Sequence, residues 1–431
     1  MYWEKEQETL EVDLLRKQQL EYIKKIVKRV GKSEYYGKIF KNLGGFSINN
    51  WEDFKSLPFT EKQDLRDSFP YGLLVTDLTD VIRLHSSSGT TGNPTVIFHT
   101  KNDIADWTNF CARSMYMTGV RKNDVFQNMM GYGLFTGGLG FHYGAEKVGM
   151  LTIPSGPGNS KRQLWFMKKF QTSVIHILPN YALRLCSFFE PLNIDPYTDL
   201  NLRIAFLGAE PHSEVIRKKI EEIYGLRAFN SYGLSEIYGP GIAFECEEQN
   251  GMHIWEDYLY PEIIDPVTGE LVPEGEEGEL VLTTLRREAM PIIRYRTRDL
   301  TRFIPGPCPC GRTHRRIDRI KGRTDDMLII NGVNLFPIQV ERAVMECPAV
   351  GENYLIEVKT INHMDKLFVH VEVNREAFSG TLSELKKIEK DLTNRLRSEV
   401  EVTPEVILVE GGSLPVSEGK AKRVIDNREK G

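Results

Sequence analysis

The sequence predicts an α/β fold: a large N-terminal domain of βαβ units plus a small β-rich subdomain, followed by a small α+β C-terminal domain. Three observations carry that expectation. Strand and helix signals alternate between Met150 and Leu207, as βαβ units require. Two β runs separated by turns, 261–270 and Gly278–Thr284, then break the alternation. Beyond residue 325 a strand, helix, strand, strand, helix, strand pattern takes over, enough chain for a separate core. A length of 431 residues exceeds one simple core and accommodates two or three domains. The domain limits expected are 1–325 and 326–431. A hydrophobic share of 41% with 27% charged residues places the chain among globular proteins. The net charge of −5 and a pI near 6.1 leave no basic excess to neutralise phosphates, so nucleic acid is not the expected partner. The opening Met1-Tyr2-Trp3-Glu4-Lys5-Glu6 has neither a signal-peptide n-region nor an apolar h-region. No run approaches the ~18 apolar residues of a membrane span, and the expectation is a cytoplasmic protein without a membrane segment.

From Glu8 to Val30, Leu10, Leu14, Leu15, Ile23, Ile26, Val27 and Val30 recur at helical spacing and predict an amphipathic helix or pair of helices. Tyr35, Tyr36 and Phe40 continue an aromatic packing face. In Leu57-Pro58-Phe59-Thr60-Glu61-Lys62, Thr60 reads as the N-cap of the next helix, and the segment is given structure and no chemistry. Asp80–Leu84 reads as a strand. It runs into His85-Ser86-Ser87-Ser88-Gly89-Thr90-Thr91-Gly92-Asn93-Pro94, in which seven of ten residues are Ser, Thr or Gly. Glycines let backbone come close to a ligand, and hydroxyls and N–H groups donate to anionic oxygens, so the loop suits phosphate; the alternative is a plain polar surface loop. The apolar Thr95-Val96-Ile97-Phe98 that follows favours the first reading. It is not G-x-x-x-x-G-K-[ST], because Asn93 follows the last glycine.

A helix is expected over Lys101–Met117 and a strand over Asp124–Asn128. Gly131 to Gly144 is dense in glycine and aromatics. Each ring alone suggests packing, and together Tyr132, Phe135 and Phe141 suggest the wall of an aromatic pocket. Next come a strand at Met150–Pro154, a helix over Ser160–Phe170, a strand at Val174–Leu178, a helix over Tyr181–Phe189 and a strand at Arg203–Leu207. Ligands bind beyond the carboxyl ends of such strands. Two stretches stand there: Gly208-Ala209-Glu210-Pro211 and Phe229-Asn230-Ser231-Tyr232-Gly233-Leu234-Ser235-Glu236. Tyr232 can stack on a purine with Gly233 leaving room beside it, and Glu236 can hold Mg²⁺ against polyphosphate.

Of six cysteines, Cys111, Cys186 and Cys347 sit in apolar helical contexts and read as buried thiols. Cys246, Cys308 and Cys310 differ. With His253 they supply a Cys₃His set for a closed, structural zinc site, with His314 as an alternative fourth ligand; the competing reading is three unconnected surface thiols.

In wording and order, the Ser/Thr/Gly loop resembles the phosphate-binding signature of the adenylate-forming synthetases, and S-S-G-T-T-G-N-P-T is most similar to the phenylacetate-CoA ligase branch. The resemblance runs from near the N-terminus to Arg423. It implies that Ser87, Ser88, Gly89, Thr90, Thr91 and Gly92 hold ATP phosphates, that Gly208, Ala209, Glu210, Tyr232 and Gly233 line the adenine side, and that Glu236 binds magnesium. Asp299 would hold ribose, Arg323 would contact ribose or phosphate, Tyr132, Phe135 and Phe141 would line the acyl pocket, and some members carry a zinc knuckle. Asp325 would be the hinge that makes the C-terminal domain mobile, and Lys420 the adenylation lysine, with Lys422 as the fallback. Two departures stand out: Thr95 where the superfamily usually has Lys, leaving Lys101 or an arginine to serve, and Arg298 where it often has Gly.

The implied reaction joins an aryl or arylacetic acid to coenzyme A in two steps, through acyl-AMP. Its cosubstrates are ATP with Mg²⁺ and CoA, and the family suggests a homodimer. Three rival readings remain: an adenylating enzyme with an amine or carrier-protein acceptor, a non-catalytic nucleotide-binding protein on the same fold, and a zinc-centred interaction module.

Overall fold

The computed structural model describes residues 1–86, 93–134, 136–331, 333–361, 364–374, 381–400, 402–415 and 423–428. They divide into two compact units. The first comprises Met1–Ile177, Leu200–Ala209 and Phe229–Arg319, and the second Leu178–Asp199, Glu210–Ala228 and Ile320–Gly431.

In chain order the N-terminal helices are α1 (Lys5–Glu8), α2 (Val12–Val30), α3 (Glu34–Asn42), α4 (Trp51–Lys55) and α5 (Lys62–Asp67). The periodicity of 8–30 thus resolves into a single helix from Val12, α2, which buries Leu15, Ile23, Ile26, Val27 and Val30. Thr60 does not cap α5. Its hydroxyl is buried, donating to the Ile293 carbonyl at 2.7 Å and bonded to the Tyr36 hydroxyl at 2.8 Å, and Glu61 takes the N-cap position instead. Those two bonds commit the hydroxyl to the core rather than to the helix end.

A hairpin of β1 (Val81–Ser86) and β2 (Val96–Thr100) brackets the Ser/Thr/Gly stretch and leads into α6 (Lys101–Met117). The helix starts there because Thr100 and Asp103 form a reciprocal capping box: the hydroxyl accepts from the Asp103 N–H at 3.2 Å and the carboxylate from the Thr100 N–H at 2.9 Å. The alternating region supplies β3 (Val125–Asn128), α7 (Leu139–Val148), β4 (Leu151–Ile153), α8 (Ser160–Phe170), β5 (Val174–Ile177), α9 (Pro179–Cys186), β6 (Ile204–Gly208), α10 (Glu214–Tyr224) and β7 (Arg227–Leu234). Strands β8 (Gly239–Glu245), β9 (Met252–Ile254), β13 (Phe303–Ile304) and β14 (Arg316–Ile317) complete, among the described residues, a nine-stranded sheet ordered β13-β14-β9-β8-β7-β6-β5-β3-β4. Its β4-β3-β5-β6 portion is parallel, as the alternation predicts, and the far end is antiparallel.

Helices α6 and α7 meet at two glycines of α7. A Cβ on Gly140 would lie 2.5 Å from the Trp107 ring, and one on Gly144 would lie 2.8 Å from the Cys111 Cβ. Part of the glycine density at 131–144 therefore answers to helix packing rather than to a ligand pocket. Cys111 is buried as expected, whereas Cys186, the last residue of α9, is only half-buried; that helix stops three residues short of the expected Phe189.

The β-rich subdomain contains the antiparallel set β10 (Leu259–Ile264), β11 (Gly278–Thr284) and β12 (Tyr295–Thr301). In the second unit, strands Val350–Ile361 and Met364–Val373 form an antiparallel pair flanked by Glu405–Val409 and Val424–Asp426, each parallel to its neighbour. Helices α11 (Pro337–Met345) and α12 (Leu382–Val400) bury Val340, Val344, Leu392 and Leu396 against Ile356, Val358 and Val369. Among the described residues no helix is long and apolar enough to cross a membrane.

Candidate active site

Tyr232 and Asp299 come from different sheets and meet: the tyrosine hydroxyl donates to the Asp299 carboxylate at 2.5 Å, and both residues are buried. Strand β7 carries Tyr232 to its carboxyl end, where pairing with β8 shifts register between Tyr232 and Gly233. A Cβ on Gly233 would stand 2.1 Å from the Gly239 carbonyl oxygen, so β8 itself demands glycine there. Asp299 reaches Tyr232 because β12 bulges. Glu279 faces Leu300 while Val281 faces Arg296, so two steps on β11 oppose four on β12. At the bulge Arg298 adopts φ +67°, the left-handed conformation that glycine usually supplies. The arginine is held there by its guanidinium on Glu61 at 2.8 Å and its N–H on Glu279 at 3.2 Å.

Glu236 lies just past β7 and is buried, with one carboxylate oxygen 3.4 Å from the Lys62 ammonium. Lys62 opens α5, in the segment the sequence reading left without chemistry. Thr95, where the resembled superfamily usually has lysine, is the sequence signal that points to a cation from another segment. Thr95 itself is fully buried. Lys101 begins α6 at the other end of β2, about 17 Å of strand from residue 95 at the usual rise. Behind Glu236, the fully buried Arg287 donates to the Glu236 carbonyl at 2.8 Å, and its burial lowers its pKa. Mg²⁺ is commonly bound through one or two carboxylates together with substrate phosphates, so the single carboxylate of Glu236 fits it by donor chemistry. Ser87, Ser88, Gly89, Thr90, Thr91 and Gly92 lie outside the described residues, as do Phe135, Lys420 and Lys422.

Gly208 ends β6 so near β7 that a Cβ would lie 2.7 Å from the Ser231 carbonyl oxygen, and Ala209 follows at φ +65°. Tyr132 is half-buried, its hydroxyl bonded to the Asn128 amide at 3.0 Å, and burial pushes its pKa up to about 12. Asn128 also bonds His176 at 3.2 Å, and that ring meets Phe141 edge-on at 4.4 Å. Phe141 is fully buried, packed on Phe206 and Phe244, so it backs the network from within the core.

In the second unit, the Glu210 carboxylate accepts the Asn180 N–H at 2.8 Å. Arg323 and Asp325, read as a phosphate contact and a hinge, pair with each other through two bonds of 2.8 and 3.0 Å.

Cys246, His253, Cys308 and Cys310 converge, with one donor atom from each lying within 4.8 Å of all the others. The Sγ atoms of Cys246 and Cys308 are 3.7 Å apart, close to the ~3.8 Å edge of a tetrahedron with Zn–S bonds of about 2.3 Å. His253 Nδ1 bonds the His314 carbonyl at 2.8 Å, which leaves Nε2 turned to Cys310 Sγ at 3.3 Å. His314 is committed elsewhere: Nε2 to the Gln7 carbonyl at 3.1 Å and Nδ1 to the Glu256 N–H at 3.3 Å. Of the two histidines weighed from sequence, His253 is thus the one in the cluster. The hydrogen bond between Cys246 and Cys310 lowers the pKa of Cys310 and raises that of Cys246, as two thiols sharing one proton require. The donor set fits zinc, with four protein ligands and an oriented imidazole.

Residues 48–285 match the family model of the AMP-binding enzymes, and residues 332–428 match that of the AMP-binding enzyme C-terminal domain. The chain is 45% identical to the phenylacetate-coenzyme A ligase of Pseudomonas putida, over 98% of this chain and 96% of that protein. It is 43% identical to the phenylacetate-coenzyme A ligase of Thermus thermophilus, over 99% and 100%. Among solved structures, a 2-hydroxyisobutyryl-CoA ligase in the postadenylation state with a bound acyl-AMP superposes with a TM-score of 0.92 at 27% identity, over 99% of this chain and 93% of that one.

Proposed function

The chain belongs to the phenylacetate-coenzyme A ligase family of AMP-binding enzymes, and from that premise we propose which of its residues carry the reaction and on what acid. The activity is ATP-dependent ligation of a carboxylic acid to coenzyme A. The acid's carboxylate attacks the α-phosphate, pyrophosphate leaves, and the CoA thiol then displaces AMP from the acyl-AMP. We assign an aryl or arylacetic acid as substrate.

The observation that carries the assignment is the Tyr232–Asp299 bond, which unites the residues expected at adenine and at ribose. In this reading Asp299 accepts from the ribose hydroxyls, and Tyr232 stacks on adenine beside Gly233 and the 208–210 loop. Ser87–Gly92 donate to the phosphates. Mg²⁺, held by Glu236, would supply charge neutralisation at the polyphosphate. Lys62, beside Glu236, takes the place of the cation missing at Thr95. Lys420 neutralises charge building on the α-phosphate as the carboxylate attacks. The boundary between domains 1–325 and 326–431 falls at Asp325. Rotation there, which opens the Arg323–Asp325 pair, withdraws Lys420 and admits CoA. Arg323 would contact ribose or phosphate. The aryl assignment rests on the half-buried Tyr132, backed through Asn128 and His176 by Phe141 in the core, and on the names of the relatives. The Cys₃His cluster holds a structural zinc, having no open position for chemistry. A cytoplasmic setting suits the cosubstrates.

The test is pyrophosphate release from ATP and Mg²⁺ across a panel of carboxylic acids, with and without CoA. Release that depends on an aryl acid, with thioester only when CoA is present, is expected. Release without thioester would move the acceptor to an amine or carrier protein, and no release with any acid would overturn the assignment. Lys420→Ala should abolish acyl-AMP formation while thioester formation from supplied acyl-AMP persists; equal loss of both would sink the hinge-and-lysine scheme.

A further inference from the structure

The turn between β7 and β8 carries Glu236, and its backbone is strained. Tyr238 adopts φ +67°, left-handed for a residue with a bulky side chain. Gly239 follows at φ +140°, where a Cβ would lie 2.5 Å from the Trp107 ring and 2.7 Å from the Thr136 Cβ. The peptide group joining Glu236 to Ile237 is held at both ends. Its N–H donates to the Leu234 carbonyl at 3.1 Å, and its carbonyl, that of Glu236, accepts Arg287 Nη1 at 2.8 Å. Arg287 touches the turn a second time, its guanidinium lying 5.1 Å from the centre of the Tyr238 ring, which Phe110 meets edge-on at 5.4 Å. Arg287 and Tyr238 are both fully buried. The backbone beside Arg287 is pinned in turn. Asp103, from the capping box of α6, accepts the N–H groups of Glu288 at 2.7 Å and Ala289 at 3.0 Å, and the Glu288 carboxylate accepts the Thr100 hydroxyl at 2.9 Å. The guanidinium thus projects from backbone fixed to the start of α6 and meets the turn at two points. The Glu236 carboxylate faces Lys62 instead.

We infer that Arg287 is a positioning residue for the magnesium carboxylate: through the Glu236 carbonyl and the Tyr238 ring it holds the strained turn in the form that presents Glu236 to the metal. The inference rests on Glu236 as the magnesium ligand. A planar guanidinium suits the role, because its flat face lies against a ring while an edge nitrogen donates to a carbonyl, and an ammonium has no such face. Arg287→Met removes both contacts with an apolar chain of similar length. Asp103 keeps its three backbone N–H donors, from Thr100, Glu288 and Ala289, so the fold is expected to survive the loss of the buried charge.

The experiment has two readouts: pyrophosphate release as a function of Mg²⁺ concentration at saturating acid, and Mn²⁺ binding in the presence of ATP without acid, from the electron paramagnetic resonance signal of the free ion. In Arg287→Met the Mg²⁺ giving half-maximal rate should rise about tenfold, the size of one lost hydrogen bond to a charged group. The rate at saturating Mg²⁺ should stay within about twofold of the parent, and Mn²⁺ binding should weaken by the same tenfold. Arg287→Lys, which keeps the charge, should fall between the two and decides the matter if the Met variant does not fold. The double variant with Glu236→Gln should bind Mn²⁺ no more weakly than Glu236→Gln alone. An unchanged metal dependence in both Arg287 variants, a rate that excess Mg²⁺ does not restore, or additive losses in the double variant would overturn the inference. Glu236→Gln run alongside separates the failures. If it weakens Mn²⁺ binding and the Arg287 variants do not, only the positioning role falls; if none of them does, the magnesium assignment falls with it.

Discussion

Replacing Arg298 in turn by Ala and by Gly isolates what the left-handed bulge at the proposed ribose residue costs. An L-residue at φ +67° carries roughly 1–2 kcal/mol of backbone strain, which Gly does not. Against that, Gly loses about 0.4–1 kcal/mol relative to Ala through the greater freedom of its unfolded chain. The Arg298–Glu61 ion pair is partly solvated, at 31% and 42% side-chain exposure, so its loss costs at most about 1 kcal/mol and is shared by both variants. Gly should therefore be the more stable of the two by about 1 kcal/mol, the reverse of the order at an ordinary position. In a thermal melt that corresponds to roughly 2–4 °C between variants for a unit of this size. The KM for ATP should stay near that of the parent in Arg298→Gly, because the bulge that aims Asp299 is kept. An Ala variant as stable as the Gly variant, or more so, would refute the claim that this position demands a left-handed residue.

Three further outcomes are expected. Tyr232→Phe strips the Asp299 carboxylate of its 2.5 Å donor, so the KM for ATP should rise about tenfold with a smaller change in kcat, as steady-state kinetics will show; an unchanged KM would remove the pair from the nucleotide site. The purified protein should contain one zinc per chain by elemental analysis, and Cys310→Ser should lose the metal and lower the melting temperature while the Tyr2 and Arg312 contacts around the knuckle loosen. Burial, with the Glu210 charge adding to it, raises Glu341 from 4.5 to about 7, although Ser213, Arg423 and Tyr354 pull the other way. Between those values the folded chain keeps a proton that the unfolded chain has released. Its contribution to stability is therefore full below pH 4.5 and is lost as pH climbs through 7, by about 3 kcal/mol in all. Glu341→Gln should flatten that slope in denaturant melts taken from pH 5 to 8.

Much of the local architecture was legible in the chain itself. Lys101–Met117, Ser160–Phe170 and Leu382–Val400 begin and end where periodicity and caps place them, because such limits depend on residues within a few positions of one another. The chemical residue types of the site were legible for the same reason: Tyr232, Gly233 and Glu236 lie within five positions, and Cys308 and Cys310 within three. Only the tertiary structure decided which distant residues meet. Sheet order departs from chain order, so β12 delivers Asp299 to Tyr232, α5 delivers Lys62 to Glu236, and His253 rather than His314 turns to the cysteines. Thr60 was drawn into the core and Phe141 behind its network by packing partners more than sixty positions away. Arg298 takes a backbone conformation its type disfavours because Glu61 and Glu279 hold it there. Local preference is a matter of about 1 kcal/mol, and a few bonds from a neighbouring strand outweigh it.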